Sequence, residues 1–222
     1  MKNLTLLMLC FAFGQFLQAQ EDSETRKFVS GGYINFNVQN NSQPASGNSF
    51  AGYNDNKYFS FGFNPYIGRQ LNKHFLAGID LLYGIRNSDY GETTIIGQVG
   101  TVDLERKVNE YGVGLFGRYG FTPDKAFNFY LQPALSYNMI QSKEIQDAQV
   151  VWDNQTNIFE LNIGAGLLYD INERLRATIR TGGLYYNIGN SKTDGSESKQ
   201  HFDSFGLNLN LSNIYFGVEV RI

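Results

Sequence analysis

Between Tyr58 and Arg86 the chain reads YFSFGFNPYIGRQLNKHFLAGIDLLYGIR. Phe59, Phe61, Phe63, Pro65 and Ile67 hold alternate positions, with Tyr58, Ser60, Gly62, Asn64, Tyr66 and Gly68 between them. After Leu71-Asn72-Lys73-His74 the pattern resumes, with Ala77, Ile79, Leu81, Tyr83 and Ile85 set against Gly78, Asp80, Gly84 and Arg86. Successive side chains of a strand point to opposite faces, so period two on both sides of a short polar break specifies a β-hairpin. Each arm is about a dozen residues long, against roughly five or six for a strand in a soluble protein. One face is bulky and apolar. The other carries Gly, Asn, Asp and Arg, as expected when the apolar side meets lipid and the polar side lines a lumen.

The same alternation recurs along the chain. A first strand is predicted over Lys27–Gln39, followed by a polar loop over Asn40–Asn56. After the hairpin come a second long loop, Asn87–Asp103, and a strand over Leu104–Tyr119. Thr122-Pro123-Asp124-Lys125 has turn chemistry. A strand over Ala126–Gln141, a long loop over Ser142–Gln155 and a strand over Thr156–Tyr169 follow, then a tight connection at Asp170–Glu173. A seventh strand covers Arg174–Asn187, and a fourth polar loop covers Gly189–Asp203. In the last segment Phe205, Leu207, Leu209 and Leu211 are odd-numbered, whereas Ile214, Phe216, Val218, Val220 and Ile222 are even-numbered. One sheet face cannot hold both sets, so a bulge or bend is expected near Ser212-Asn213, unless the first half is an extension outside the membrane. The fold expected is all-β, an eight-stranded antiparallel up-and-down transmembrane barrel. Long and short connections alternate around it, as in barrels with long external loops and short periplasmic turns.

Twenty-four glycines, 18 Phe, 14 Tyr and only 4 Pro suit long strands with aromatic ends. Mean hydropathy is −0.31, which suits a chain whose every second residue is polar. The net charge of −3 and the lack of a basic block argue against a nucleic-acid partner. Lys2, the apolar run Leu4–Leu17 and the small Ala19 read as a secretory signal peptide over residues 1–19. An acidic N-terminal segment, 20–26, then precedes the barrel, 27–222. The only cysteine, Cys10, lies in the signal segment, so the mature part has no disulfide.

A soluble lipocalin-like barrel would invert the two faces. Here the charged face is also the glycine face, as in Gly78, Asp80, Gly84, Arg86 and in Glu110, Gly112, Gly114, Arg118. Small residues beside long charged ones suit a narrow interior filled by side chains. Aromatic residues also gather at strand ends, with Tyr119, Phe121, Phe127 and Tyr169 at one rim and Tyr58, Phe59, Tyr137 and Tyr185 at the other.

Phe63-Asn64-Pro65-Tyr66-Ile67-Gly68, Ala77-Gly78-Ile79, Phe116-Gly117-Arg118-Tyr119 and Tyr215-Phe216-Gly217-Val218 carry a likeness that extends over the mature chain. By these segments it resembles the small outer-membrane β-barrel domain proteins of Bacteroidota, often labelled porin-family. The resemblance implies the cell outer membrane as the location and the barrel-assembly machinery as a partner during biogenesis. Two positions depart from it: Ile222 stands where an aromatic terminal residue is usual, and Arg69 where an aromatic is frequent.

No catalytic, cofactor or metal constellation is present in the sequence. His74 falls in a short turn and His201 in a loop, without partners at a telling spacing. The polar face carries Asp80, Arg86, Glu110, Arg118, Glu160, Arg176, Arg180, Glu219 and Arg221. Their mixed signs suggest a paired network filling the lumen, with Arg86 meeting Glu110 and Arg176 meeting Glu219. Arg69, Tyr119, Phe121, Phe127 and Tyr169 are expected at the lipid interface. The function expected is non-enzymatic, structural or surface-interacting through long extracellular loops. A small channel or transporter and a soluble ligand-binding barrel are the alternatives.

Overall fold

Three of the hairpin connections on one end are held by short polar side chains. Asn72 Oδ1 accepts from the backbone N–H of His74 and Phe75, both at 2.9 Å. Asn172 Oδ1 does the same for Arg174 and Leu175, both at 2.9 Å. The third connection uses Thr122, whose hydroxyl donates to the Phe127 carbonyl at 2.9 Å. An amide or hydroxyl that replaces a missing backbone partner fixes a tight turn, and the turn fixes the register of both strands.

The computed structural model describes residues 28–42, 55–94, 101–195, 199–208 and 214–222. Nine strands result: β1 (Phe28–Ser42), β2 (Asp55–Gln70), β3 (Phe75–Thr94), β4 (Thr101–Gly120), β5 (Phe127–Gln146), β6 (Gln149–Asp170), β7 (Leu175–Thr193), β8 (Gln200–Leu207) and β9 (Tyr215–Arg221). Each pairs antiparallel with its neighbour, and the sheet closes through β9, which joins β7 to β1. Strands β8 and β9 occupy one position, so the ring has eight positions. Closure leaves no open edge at that level, which a sheet in hydrocarbon requires. The assigned signal peptide and the segment 20–26 lie outside the described residues, as do Ile95, Ile96 and Val99.

The outward face is apolar. Phe129 is 62% exposed and Leu115 60%, among more than a score of exposed Phe, Leu, Ile, Val and Tyr side chains. On β5 the apolar outward run goes from Phe127 to Met139, and Gln141 and Lys143 follow on the same face. That run is roughly 40 Å of extended chain, or about 30 Å of height at a tilt near 40°, the thickness of a bilayer's hydrocarbon. The change to polar comes after Ile85 on β3, Tyr111 on β4 and Phe159 on β6, where Asn87, Asn109 and Asn157 take over. An apolar band of this height ending at one level around the ring identifies a membrane-spanning barrel. Arg118 and Glu219, the most deeply enclosed charges, point to the axis, opposite to the arrangement of a soluble lipocalin-like barrel.

Several sequence expectations are corrected. Residues 142–155 are not a long loop. Strands β5 and β6 continue through them to a two-residue turn at Asp147-Ala148, whose φ angles of 48° and 64° are left-handed, as this hairpin geometry requires. The second and fourth loops also shrink, because β3, β4, β7 and β8 run on into them. The last segment contributes β8 and β9, and Ser212-Asn213, where a bulge or bend was expected, lies outside the described residues with Leu209 and Leu211. Its change of face is matched across the ladder by a bulge in β7, where Gly164 faces Gly183 but Gly166 faces Arg180. The outward residues of β7 accordingly pass from Ala177 and Ile179 to Leu184, Tyr186 and Ile188. Tyr186 therefore stands at the outer rim in place of Tyr185, and Tyr58 falls on the lumen face of β2.

Candidate functional site

The lower half of the lumen, toward the short turns, is filled around Glu219. This carboxylate comes from the closing strand β9 and is fully buried. Arg118 Nη1 lies 2.6 Å from Glu219 Oε2, and Arg176 Nη1 lies 3.1 Å from Oε1. The Tyr66 hydroxyl donates to Oε2 at 2.7 Å. Arg118 is satisfied in turn: Nε donates to Gln132 Oε1 at 3.1 Å and Nη2 to the Tyr33 hydroxyl at 2.9 Å. Its guanidinium also lies 4.7 Å from the centre of the Tyr130 ring and 5.2 Å from that of Tyr66. Tyr33 and Tyr130 share a hydroxyl–hydroxyl bond of 3.1 Å. A buried ion pair is tolerable only when its remaining donors and acceptors are met, and here they are. Below it, Arg176 Nε reaches Asp170 Oδ1 at 2.5 Å, and Arg221 Nη2 reaches Asp170 Oδ2 at 3.1 Å.

Glycines make the room for this plug. The lumen tyrosines stand opposite them on neighbouring strands: Tyr66 opposite Gly31, Tyr33 opposite Gly217 and Tyr130 opposite Gly166. A Cβ at any of these glycines would collide with the tyrosine ring it faces.

Above the plug the lumen widens to a cavity of about 420 Å³. Asp80, Glu110, Glu160 and Arg180 line it with Asn138 and Asn187. Arg180 is held over the rings of Tyr33 and Tyr215, at 4.7 and 5.1 Å, and its Nη2 donates to Asn64 Oδ1 at 3.4 Å. Arg86 Nη2 lies 3.5 Å from Glu110 Oε2. The nine charged residues singled out in the sequence thus occupy two levels. Arg118, Arg176, Glu219 and Arg221 belong to the plug, Arg221 through Asp170. Asp80, Arg86, Glu110, Glu160 and Arg180 belong to the cavity and its upper edge.

Sequence reasoning misses Tyr33, Tyr66, Tyr130, Gln132 and Asp170. The alternation places the first four on the polar face, but only the register shows that they converge. Asp170 reads as a turn residue in the sequence, and it ends β6.

On the outside, Arg69 is exposed at the lower rim, cross-strand from Phe28 and Ala77. The rings of Tyr119 and Phe121 meet edge to face at 5.3 Å, and those of Phe127 and Tyr169 pack at 4.8 Å. All four are exposed at this rim. Tyr83 with Tyr111 and Tyr137 with Phe159 form similar pairs at the opposite edge of the belt.

No protein-family model matches the chain, and none of the curated proteins matches it in sequence. Solved structures are similar to it in the course of the chain. The crystal structure of Neisserial surface protein A is similar over 88% of this chain and 97% of its own, with 14% identity and a TM-score of 0.40. A major outer membrane protein from Thermus thermophilus is similar over 90% of this chain and 100% of its own, with 12% identity and a TM-score of 0.46. The band of apolar side chains and the closed antiparallel ring fit the cell outer membrane on their own terms, because closed barrels are how β-sheets span that bilayer. Among the described residues no cluster of His, Cys, Asp and Glu is arranged to hold a metal.

Proposed function

We propose that the chain is an integral outer-membrane barrel with a non-enzymatic structural or surface-interaction role. Lipid is the partner of its belt, with Arg69, Tyr119, Phe121, Phe127 and Tyr169 at the interface, and the barrel-assembly machinery is its partner during insertion. The surface role falls to the tall polar extensions of β3 to β8, which stand where long loops were expected. On β4 and β6 they carry the Arg106 guanidinium over the Trp152 ring at 5.8 Å.

One observation supports this reading above a channel. The Arg118–Glu219 pair and the tyrosines around it fill the lower lumen, and their side chains are almost wholly inaccessible. Recording from the purified barrel in planar bilayers tests it. The expected trace shows no large steady conductance. A stable ohmic conductance of porin size would overturn the proposal.

A further inference from the structure

Above Ile34 the wall is not closed among the described residues. Strand β9 last faces β1 where Phe216 meets Ile34, and last faces β7 where Tyr215 meets Arg180. From Asn35 to Ser42, β1 pairs only with β2. Strand β8 takes the place above β9, and it pairs only with β7. The free edges of β1 and β8 therefore flank a gap. It lies in the upper half of the apolar belt, because Phe36 faces Phe61 and Phe205 faces Tyr186. Phe36 and Phe205, 69% and 74% exposed, are among the most exposed apolar side chains described.

The phase of the hydrogen bonds tells what these edges present. The Ile222 N–H donates to the Phe28 carbonyl at 2.7 Å, and the Asn208 N–H to the Gly183 carbonyl at 2.9 Å. In an antiparallel ladder such pairs recur at every second residue. Even-numbered residues of β1 therefore turn N–H and C=O into the gap, and so do odd-numbered residues of β8. Unpaired backbone groups are heavily penalised in hydrocarbon, so a gap at this level suits a guest with both polar and apolar parts. Behind the gap is the cavity, which Ser204 on β8 and Tyr215 on β9 line. Its lining also holds Asp80, Glu110 and Glu160 together with Arg180, Ser136 and Thr181. An ammonium would meet Arg180 and a phosphate the three acids, whereas hydroxyls both donate and accept. The volume of about 420 Å³ is at the small end of ligand sites.

We propose that the gap between β1 and β8 is a lateral port, by which a single-chain amphiphile with an uncharged, hydroxylated head enters the lumen from the bilayer. The head lies in the cavity above the plug, and the hydrocarbon chain stays in the gap at the level of Phe36 and Phe205. A strand inserted there would cover the edges and leave the cavity unused, whereas an amphiphile occupies both. This goes beyond the structural reading and does not depend on the conductance result, because a port above the plug opens no path through the barrel.

Photolabelling of the barrel in phosphatidylcholine vesicles, with a monoacylglycerol that carries a diazirine in its chain, tests the proposal. Peptide mass spectrometry reads the labelled residues. Labelling at Phe36, Val38, Phe205 and Leu207 is expected to saturate, while labelling at Leu115, on the opposite wall, rises in proportion to the probe. Unlabelled monoacylglycerol should suppress the saturable part at least tenfold more effectively than an alkyl trimethylammonium or an alkyl phosphate of equal chain length. Ser204→Trp, which fills the cavity behind the gap, should reduce it at least fivefold, and the wild-type competition stands if that variant fails to fold. Labelling at the gap that rises as it does at Leu115, equal competition by either charged amphiphile, or protection of the four positions, as a second copy seated on the edges would give, would each overturn the proposal.

Discussion

Glu219→Gln removes one charge from the interior and leaves the side chain's shape nearly unchanged. In the wild type the carboxylate meets Arg118 at 2.6 Å, Arg176 at 3.1 Å and Tyr66 at 2.7 Å. Arg118 has no alternative carboxylate among the described residues, and its side chain is only 3% exposed. Arg176 keeps Asp170. The variant therefore strands one guanidinium in a dry environment. Breaking a buried pair from one side costs about 3–5 kcal/mol, whereas the same change in a hydrated lumen would cost about 1 kcal/mol or less. Urea unfolding in short-chain phosphatidylcholine vesicles, followed by far-ultraviolet circular dichroism, separates the two cases. Adding Arg118→Met to Glu219→Gln should recover more than about 1 kcal/mol, because neighbours that share one interaction are not additive. A loss below about 1 kcal/mol for Glu219→Gln alone would refute the dry plug.

Other positions give independent checks. Leu115→Arg, in the middle of the outward belt, should lower stability in vesicles by about 2–4 kcal/mol, while Lys143→Leu, above the belt, should not lower it; equal effects would contradict the assigned membrane level. Gly166→Ala should destabilise by about 1–3 kcal/mol through overpacking against Tyr130, measured as a lower midpoint in the same urea titration. Tyr33→Phe removes the hydroxyl that receives Arg118 and bonds Tyr130, and should cost about 1–3 kcal/mol.

Inside the hydrocarbon the pattern is legible because lipid and lumen demand opposite side chains. Residues 127–139 and 159–169 show it clearly. Above that level both faces meet water, the contrast disappears, and a strand reads as a loop. That is why residues 142–155 resemble a loop in sequence, although Ser142, Lys143, Asp153, Asn154 and Gln155 all lie in the ladder. The β7 bulge leaves only the adjacent Gly182-Gly183 as a signal, and its effect is visible as the conflict of parity in the last segment. In the interior, alternation identifies which residues face the axis. It does not supply their heights, and heights decide that Asp170, not Glu219, receives Arg221.

Strand β9 both seals the wall and supplies the anion on which two arginines converge. Until it docks, Arg176 has only Asp170, and Arg118 has no carboxylate among the described residues. Completion of the cylinder and the pairing of Arg118 are thus a single event, and a chain stalled before it would keep a bare guanidinium at its centre.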